Sequence, residues 1–277
     1  MSAVERAYAK VNLCLHAGER RADNYHALAS LVTFAEFGDE LRADESASLE
    51  LSIAGQFAAA TPKGHDNLVL KAANELRAAT GVKRGARLTL TKNLPVASGL
   101  GGGSADAAAA LRAIFRLNRL TPSRDESISL ALQLGADVPV CLFQQSCRMQ
   151  GAGETILPVS LGPFAAVLVN PLLPLPTAAV FAGLGLEPGD NYRAPIADAD
   201  DPASWRNDLT ASALTLAPSI ADVLAALESQ DGLRLARMSG SGATCFGLFS
   251  DATAASRAAA SLAASHPHWW IRPARLG

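Results

Sequence analysis

The clearest pattern near the start of the chain is an alternation of apolar and polar side chains over residues 6–16. A period of two is typical of a β-strand, because successive side chains point to opposite faces of the sheet. One face carries Ala7, Ala9, Val11, Leu13 and Leu15, and the other carries the unusually polar set Tyr8, Lys10, Asn12, Cys14 and His16. The charged residues 17–26 predict a loop, so a polar strand face is followed directly by a polar loop.

The rest of the first half predicts short strands with polar turns, followed by helices. Strands are expected at residues 31–37, 48–53 and 87–92, with turns near Asp39-Glu40 and at residues 44–46. Helices are expected from the Asp66-Asn67 cap to about residue 79 with Gly81 as the stop, from about Ala105 to Arg119, and from Thr121-Pro122, with proline at the first helical position, to near Gly135. Asp106 is expected to complement the dipole of its helix rather than to bind Mg²⁺.

Prolines punctuate short apolar runs after Val159, which predicts a domain boundary near residues 155–160 and domains of 1–157 and 158–277. Residues 187–208 are polar and predict a long loop or lid. A helix is expected at 219–229, strands at 233–238 and 245–249 around a second glycine loop, a helix from the Asp251 cap to about 264, and a final edge strand at 270–273. Strands and helices do not alternate strictly, which favours two layered α+β domains over a parallel Rossmann sheet.

Composition narrows the class of protein. The chain has 277 residues, 49% of them hydrophobic and 18% charged, which is enough to build a substantial core. Lys plus Arg number 24 against 26 Asp plus Glu, so no basic surplus favours a nucleic-acid partner. The apolar runs are too short to span a bilayer and the first residues lack a signal core, so we expect a cytoplasmic protein without a membrane partner. Four cysteines without a CxxC pair predict buried, reduced thiols.

The strongest candidate for chemistry is the segment Pro-Val-Ala-Ser-Gly-Leu-Gly-Gly-Gly-Ser-Ala at residues 95–105, with a run of helix-forming residues directly after it. Glycine allows backbone conformations closed to other residues and leaves no Cβ in the way of a ligand. A helix that begins after such a loop points unpaired N–H groups and its positive dipole end into the loop. The segment therefore predicts a nucleotide phosphate site, with a flexible turn as the simpler alternative.

Two common phosphate-binding patterns do not fit this segment. A P-loop ends in Lys-Ser or Lys-Thr, whereas Gly103 is followed by Ser104-Ala105. A dinucleotide fingerprint needs an acidic residue at the end of a second strand about 20 residues on, where this chain begins a helix at Thr121-Pro122. A loop of another kind remains, with backbone N–H donors, the hydroxyls of Ser98 and Ser104 and a helix N-terminus.

With that loop the chain resembles the GHMP kinase family, which includes galactokinase, homoserine kinase and mevalonate kinase. The family's central motif is Pro, three residues, Gly-Leu and then Gly or Ser residues, and the late glycine loop at Met238–Thr244 is similar to a second family element. Residues 9–13, 21–26 and 135–139 point to one group within the family. In these segments the chain is similar to members that phosphorylate a cytidine diphosphate-linked methylerythritol. The resemblance covers residues 7–249, with Asn24 standing where those members usually have glycine; asparagine tolerates positive φ.

The resemblance implies a fold and an activity. The fold would be the α+β two-domain GHMP kinase architecture, with mixed or antiparallel sheets, helices and an active site in the cleft between an N-terminal ATP-binding domain and a C-terminal domain. The last strand is a candidate to pack back on the N-terminal domain. The activity would be transfer of the γ-phosphoryl of ATP, as Mg-ATP, to the 2-hydroxyl of the substrate in the non-mevalonate isoprenoid route. The expected partner is this small molecule, and the expected state is a monomer or weak homodimer.

The resemblance also assigns site residues. Lys10 and Asp137 would be the catalytic pair. Without the resemblance, the simpler interpretations are a solvated lysine at position 10 and a turn or helix-cap aspartate at position 137. The cofactor-binding residues would be Pro95, Val96, Ala97, Ser98, Gly99, Leu100, Gly101, Gly102, Gly103, Ser104 and Ala105. The substrate-binding residues would be Asn12, Tyr25, His26, Gly240, Ser241 and Gly242, with the two aromatic rings at the cytosine and the second glycine loop either contacting the diphosphate or bracing the first loop. No metal ligand is assigned.

Two alternatives stay open at this point. The chain could be another small-molecule kinase of the same family, of the mevalonate or homoserine type. It could also be a non-catalytic nucleotide-binding protein, in which the loop holds a nucleotide and no phosphoryl group is transferred.

Overall fold

The computed structural model describes residues 2–23, 25–187, 194 and 197–277. Asn24 and part of the loop expected at 187–208, namely residues 188–193 and 195–196, lie outside the described residues. The strands are β1 (Ser2–Arg20), β2 (His26–Ser46), β3 (Glu50–Ala54), β4 (Gly85–Thr91), β5 (Cys147–Gly151), β6 (Thr155–Pro158), β7 (Phe164–Asn170), β8 (Leu233–Met238), β9 (Cys245–Phe249) and β10 (Trp270–Leu276). The helices are α1 (Leu68–Thr80), α2 (Gly102–Asn118), α3 (Arg124–Leu134), α4 (Val138–Phe143), α5 (Thr177–Ala182), α6 (Thr210–Leu216), α7 (Ser219–Glu228) and α8 (Ala252–Ser265).

The described residues form two compact units, and neither is a continuous stretch of chain. The first unit contains residues 2–9, 37–96 and 101–144, and the second contains the described residues of 10–36, 97–100 and 145–277. The chain changes unit within β1, within β2 and within the glycine loop. The expected limits 1–157 and 158–277 are continuous, and they stay a prediction about the family's two domains.

The first unit combines a small sheet with four helices. The second half of β2 pairs antiparallel with β4, from Glu40 opposite Thr91 to Ser46 opposite Gly85, and β3 pairs parallel with β4. The helices α1 to α4 pack against one another and α2 also contacts β4, and α2 is buried from Ala105 to Leu111, a stretch that contains five alanines. Alanine combines the highest helix propensity with a small side chain, so α2 lies close to its neighbours.

The helix ends of the first unit follow from local chemistry. Asn67 caps α1 by accepting a hydrogen bond from the Val69 N–H at 2.8 Å, and Gly81 ends it with φ of 71°, which confirms the predicted limits. In α3 the expected start at Thr121-Pro122 is wrong. Ser123 is the cap there, because its side chain and that of Glu126 form a reciprocal capping box.

Three expectations near the glycine loop and the first strands are corrected. The turn near Asp39-Glu40 is wrong, because β2 runs unbroken through it and Asp39 is fully buried. Its neighbour Gly38 allows β1 to pass closely, since a Cβ there would lie 2.7 Å from the Cα of Tyr8. The predicted turn at residues 44–46 also lies within β2, and the helix expected from Ala105 begins at Gly102. Glycine has poor helix propensity, so the pattern placed the boundary too late.

The second unit is built on β7, which pairs antiparallel with β9 on one side and β10 on the other. β8 pairs with β9, while the first half of β2 pairs with β5, and β5 pairs with β6. A core of aliphatic residues from β7 to β9 packs against α6, α7 and α8, and Leu15 of β1 joins it. The predicted strands at 233–238 and 245–249 are confirmed to the residue.

Two strand limits in this unit differ from the sequence patterns. The loop expected at residues 17–26 is shorter, because β1 continues to Arg20 and β2 begins at His26. The final strand is not an edge strand, because β10 pairs with β7 along its whole length and Leu276 also pairs with Ala35 of β2. None of the helices in the described part of the chain combines the length and apolar character needed to cross a bilayer.

Candidate active site

The polar face of β1 holds the ammonium of Lys10 in a buried position. Lys10 Nζ donates to Oδ1 of Asn12 at 2.9 Å, and Nδ2 of Asn12 donates to the Ser30 hydroxyl at 2.8 Å. Lys10 and Asn12 are 3% and 0% exposed, which excludes a solvated lysine. Because both ends of the Asn12 amide are engaged, its position fixes where the ammonium of Lys10 lies.

The backbone of β1 is joined to both glycine loops. Lys10 N donates to the carbonyl of Leu100 at 2.9 Å, and Asn12 N donates to the Ser239 hydroxyl at 3.1 Å. Ser239 Oγ in turn donates to the carbonyl of Gly99 at 3.0 Å. Ser239 was not among the candidate site residues. Its position in the second glycine loop, at the start of the sequence Ser-Gly-Ser-Gly, was a signal that could have indicated it.

Gly99 is required by the close approach of the second glycine loop. Its φ is +78°, and a Cβ there would lie 2.8 Å from the carbonyl oxygen and 2.9 Å from the nitrogen of Gly242. The Thr244 N–H donates to the carbonyl of Ser98 at 3.0 Å, and the Gly242 N–H is engaged with the Ser239 carbonyl at 3.0 Å. Of the two roles left open for the second loop, these contacts are those of a brace for the first loop.

The second glycine loop is itself held from behind. Asn207 Nδ2 donates to the carbonyls of Met238 and Gly240, at 2.7 and 2.8 Å. The hydroxyl of Ser241 lies 2.9 Å from that of Thr177, the first residue of α5. Asn207 and Thr177 were not among the candidate site residues, because nothing in their local sequence indicates a partner so distant along the chain.

The first glycine loop has the features of an anion site. Ala97, Gly99 and Gly101 all have positive φ, and Gly101 precedes α2 without any side-chain cap on the helix. The Ser98 hydroxyl is buried and has no hydrogen-bond partner among the described residues. A buried hydroxyl without a partner in the second unit and the uncapped N-terminus of a 17-residue helix in the first unit are each polar features that an anion such as phosphate could satisfy.

The aromatic residues at the start of β2 differ in their surroundings. Tyr25 is 52% exposed. His26 is half-buried, with its ring stacked on that of Phe181 in α5 at a centroid distance of 5.5 Å and an interplanar angle of 23°. Phe181 was missed by sequence reasoning. His26 therefore forms part of an aromatic pair, whereas the side chain of Tyr25 is largely open to solvent.

An ordered turn holds Tyr25 in this exposed position. The Tyr25 N–H donates to Oδ1 of Asp23 at 3.1 Å, and the pKa of Asp23 lies below its usual value chiefly because of this bond. Arg21 pairs with Asp23 at 3.0 Å and with Glu154 at 2.9 Å. Two of the charged residues that predicted a loop here, Arg21 and Asp23, are therefore paired with each other, and they also contact Glu154 and the backbone of Tyr25.

Asp137 belongs to the first unit, where it precedes the short helix α4. It is half-buried, with φ of −87° and ψ of −10°, and its side chain makes no capping hydrogen bond to the helix. Gly135 before it has φ of +153°, and Pro139 lies in the first turn of α4. The path around the aspartate is thus sharply fixed, and its carboxyl group is not used as a helix cap.

The cysteines are thiols in the interior of the protein. All four cysteines are buried and none forms a disulfide. Burial raises the pKa of Cys14 and of Cys147 to about 11. Within the described ranges, no group of three or more His, Cys, Asp and Glu side chains could hold a metal ion.

The comparisons with known proteins define the class. Residues 67–145 match the family model for the GHMP kinases N terminal domain, and residues 198–268 match the model for the GHMP kinases C terminal domain. The chain belongs to the GHMP kinase family, so it is a small-molecule kinase with the two-domain α+β fold of that family.

Individual relatives define the group within the GHMP kinases more closely than the family models do. The chain is 50% identical to the 4-diphosphocytidyl-2-C-methyl-D-erythritol kinase of Parvibaculum lavamentivorans, over 99% of this chain and 98% of the relative. It is 50% identical to the kinase of that name from Paramagnetospirillum magneticum, over 98% and 97% of the two chains. A solved structure of 4-(cytidine 5'-diphospho)-2C-methyl-D-erythritol kinase is 32% identical, with a TM-score of 0.81 over 99% of both chains. Within the GHMP kinases, the chain belongs to the 4-diphosphocytidyl-2-C-methyl-D-erythritol kinases.

Proposed function

We propose that this chain transfers the γ-phosphoryl group of ATP to the 2-hydroxyl of 4-diphosphocytidyl-2-C-methyl-D-erythritol, giving the 2-phosphate and ADP. This places it in the non-mevalonate route to isoprenoid precursors. The observation that carries the proposal is 50% sequence identity to two 4-diphosphocytidyl-2-C-methyl-D-erythritol kinases over nearly the whole chain. The buried Lys10 network beside the glycine loop agrees with it, because a solvated surface lysine would serve no reaction.

Asp137 is the proposed general base. In the transfer it accepts the proton of the substrate hydroxyl, whose oxygen forms a bond to the γ-phosphorus as the bond from that phosphorus to the β-phosphate oxygen breaks. Its place directly before α4, on a path fixed by Gly135 and Pro139, supports this role.

Lys10 is the proposed cationic partner in the reaction. Its ammonium is held by Asn12, so its charge has a defined position toward phosphate or hydroxyl oxygen. Asn12 is proposed to serve the substrate through this contact, since its amide is engaged on both sides.

Residues 95–105 are proposed to hold the ATP phosphates. Backbone N–H groups at the start of α2 and the hydroxyls of Ser98 and Ser104 are the donors, and the unpartnered Ser98 hydroxyl supports this assignment. Mg²⁺ is proposed to enter with the nucleotide and to neutralise phosphate charge, without a ligand assigned from the protein.

Tyr25 and His26 are proposed to bind the cytosine, with Tyr25 contacting the ring and His26 supplying hydrogen bonds. Gly240, Ser241 and Gly242 are proposed to line the diphosphate side of the substrate while bracing the ATP loop. The enzyme is proposed to act in the cytoplasm as a monomer or weak homodimer, with no need for a nucleic acid or a membrane.

The test is an ATP-consumption assay with three acceptors: 4-diphosphocytidyl-2-C-methyl-D-erythritol, mevalonate and homoserine. Turnover with the first alone is expected. Turnover with mevalonate or homoserine but not with the first would overturn the substrate assignment.

Asp137→Ala then separates catalysis from binding. We expect it to retain nucleotide binding and to lose at least ~10²-fold in kcat. Binding of ATP without turnover by the unmodified chain would favour a non-catalytic nucleotide-binding protein.

A further inference from the structure

A buried ion cluster in the first unit joins the two chain segments that flank the glycine loop. Lys92 follows β4 directly, Asp39 lies in β2 and Asp106 lies in the second turn of α2. Lys92 Nζ donates to Oδ2 of Asp39 and to Oδ2 of Asp106, the latter at 2.7 Å. The three residues are 2%, 0% and 3% exposed, so the cluster is shut off from water.

The cluster also binds the backbone that leads into the loop. Oδ1 of Asp39 accepts hydrogen bonds from the Asn93 N–H at 2.5 Å and the Leu94 N–H at 2.9 Å. Leu94 directly precedes Pro95, the first residue of the glycine loop. One carboxyl group therefore fixes both the lysine and the entry to the loop.

On the exit side, the ammonium lies under the first residue of α2. A Cβ built on Gly102 would be 3.4 Å from Lys92 Nζ and 3.8 Å from Oδ2 of Asp39. Asp106 then ties the same helix to the same ammonium. Asp39 lies on the entry side of the glycine loop and Asp106 on the exit side, and both accept hydrogen bonds from Lys92 Nζ. This one nitrogen atom therefore connects the two chain segments that flank the loop.

A fully buried cluster is a poor device for stability alone. Removing charges from water is expensive, and apolar residues of similar volume often serve stability as well or better. Its place at both flanks of the glycine loop gives it a different use, because the loop's N–H groups must be aimed before phosphate binds.

We infer that Lys92, Asp39 and Asp106 are positioning residues for ATP, which fix the geometry of the glycine loop without touching the reacting atoms. The inference rests on the proposed role of residues 95–105 in holding the ATP phosphates. It concerns the nucleotide alone, so the binding of the phosphoryl acceptor should be independent of the cluster.

The test compares steady-state kinetics of the full chain with those of Lys92→Gln, Asp39→Asn and the conservative Lys92→Arg. For Lys92→Gln and Asp39→Asn we expect KM for ATP to rise about 10-fold, with KM for the phosphoryl acceptor within twofold of the unmodified chain. Lys92→Arg keeps the charge and should recover most of the loss. The control is Lys83→Met, which removes an exposed lysine of the same unit and should leave both constants unchanged.

A purely structural cluster would reduce the folded fraction and the apparent kcat, but it would leave KM for ATP unchanged in the molecules that fold. KM for ATP within twofold of normal in folded Lys92→Gln or Asp39→Asn overturns the inference, and so does failure of both variants to fold. Absence of turnover by the unmodified chain would instead overturn the proposed function, so the two failures are distinguishable.

Discussion

Asp106→Asn tests the protonation of the buried cluster. Burial is the largest influence on Asp106 and raises its pKa far above the ordinary value, to about 8, in spite of the opposing attraction of Lys92. The pKa of Lys92 is itself raised by its two acidic neighbours, which outweigh its burial, so the lysine stays charged. At neutral pH Asp106 is therefore mostly protonated in the folded chain and ionised in the unfolded chain.

The sign of the stability effect follows from this difference. Between pH 4 and pH 8 Asp106 holds up to one proton more in the folded state than in the unfolded state, so its contribution to the free energy of unfolding falls as pH rises. The slope from this group is at most about 1.4 kcal/mol per pH unit, and it disappears above the folded-state pKa. Asparagine keeps the size and the acceptor oxygen for Lys92 but does not titrate.

The assay is urea unfolding of the unmodified chain and of Asp106→Asn at pH 6, 7 and 8. The difference in free energy of unfolding should move in favour of the variant by roughly 1 kcal/mol or more for each pH unit in this window. Asp222→Asn, a change at an exposed position, is the control and should run parallel to the unmodified chain. Parallel curves for Asp106→Asn would show that Asp106 is ionised in the folded state and would refute the reasoning.

Three further predictions rest on other contacts. Gly99→Ala should lower both stability and kcat/KM, because the added methyl group meets the second glycine loop and the backbone has positive φ; thermal unfolding and kinetics measure the two effects. Arg112→Met should cost roughly 1–3 kcal/mol in urea unfolding, since Arg112 bonds the carbonyls at the end of α4 and a buried glutamate of β1. Arg116→Met, which removes a side chain 67% exposed, should cost clearly less, and equal costs would contradict the argument. At pH 8 the thiols of Cys14 and Cys147 should react with a thiol reagent only after unfolding, because burial holds their pKa near 11; fast reaction of the native chain would contradict this.

Local patterns predicted much of the fold. Both ends of α1, the strands around the second glycine loop and the cap of α8 follow from residues that interact within a few positions of each other. The turn expected at Asp39-Glu40 failed for a physical reason. An acidic pair normally marks solvent, but Asp39 is buried because a lysine 53 residues away along the chain compensates it.

The residues of the candidate site also fall into two groups, those that local patterns reveal and those that depend on contacts with distant segments. The glycine loop and the polar face of β1 could be found from composition and period, and Lys10 and Asn12, which the period placed on one face, contact each other in the interior. Asn207 and Phe181 could not be assigned roles from sequence, because each acts through a contact with a segment distant along the chain, whereas Ser239 was missed although it lies in the second glycine loop. Pattern analysis predicts which residues can do chemistry, whereas the residues that aim them become visible only in three dimensions.

The glycine loop is itself held in place by contacts with segments distant along the chain. A P-loop carries its own lysine, so position and charge come from one short segment. Here the loop has no lysine, and its parts are fixed by separate supports. In the second unit the carbonyls of Ser98, Gly99 and Leu100 accept hydrogen bonds from other segments, and in the first unit the Lys92 cluster holds residues 92–94 and the start of α2. Since those carbonyls are turned to the protein, we propose that the loop binds phosphate through its remaining N–H groups and the Ser98 hydroxyl, and that the positive charge for the reaction comes from Lys10, outside the loop.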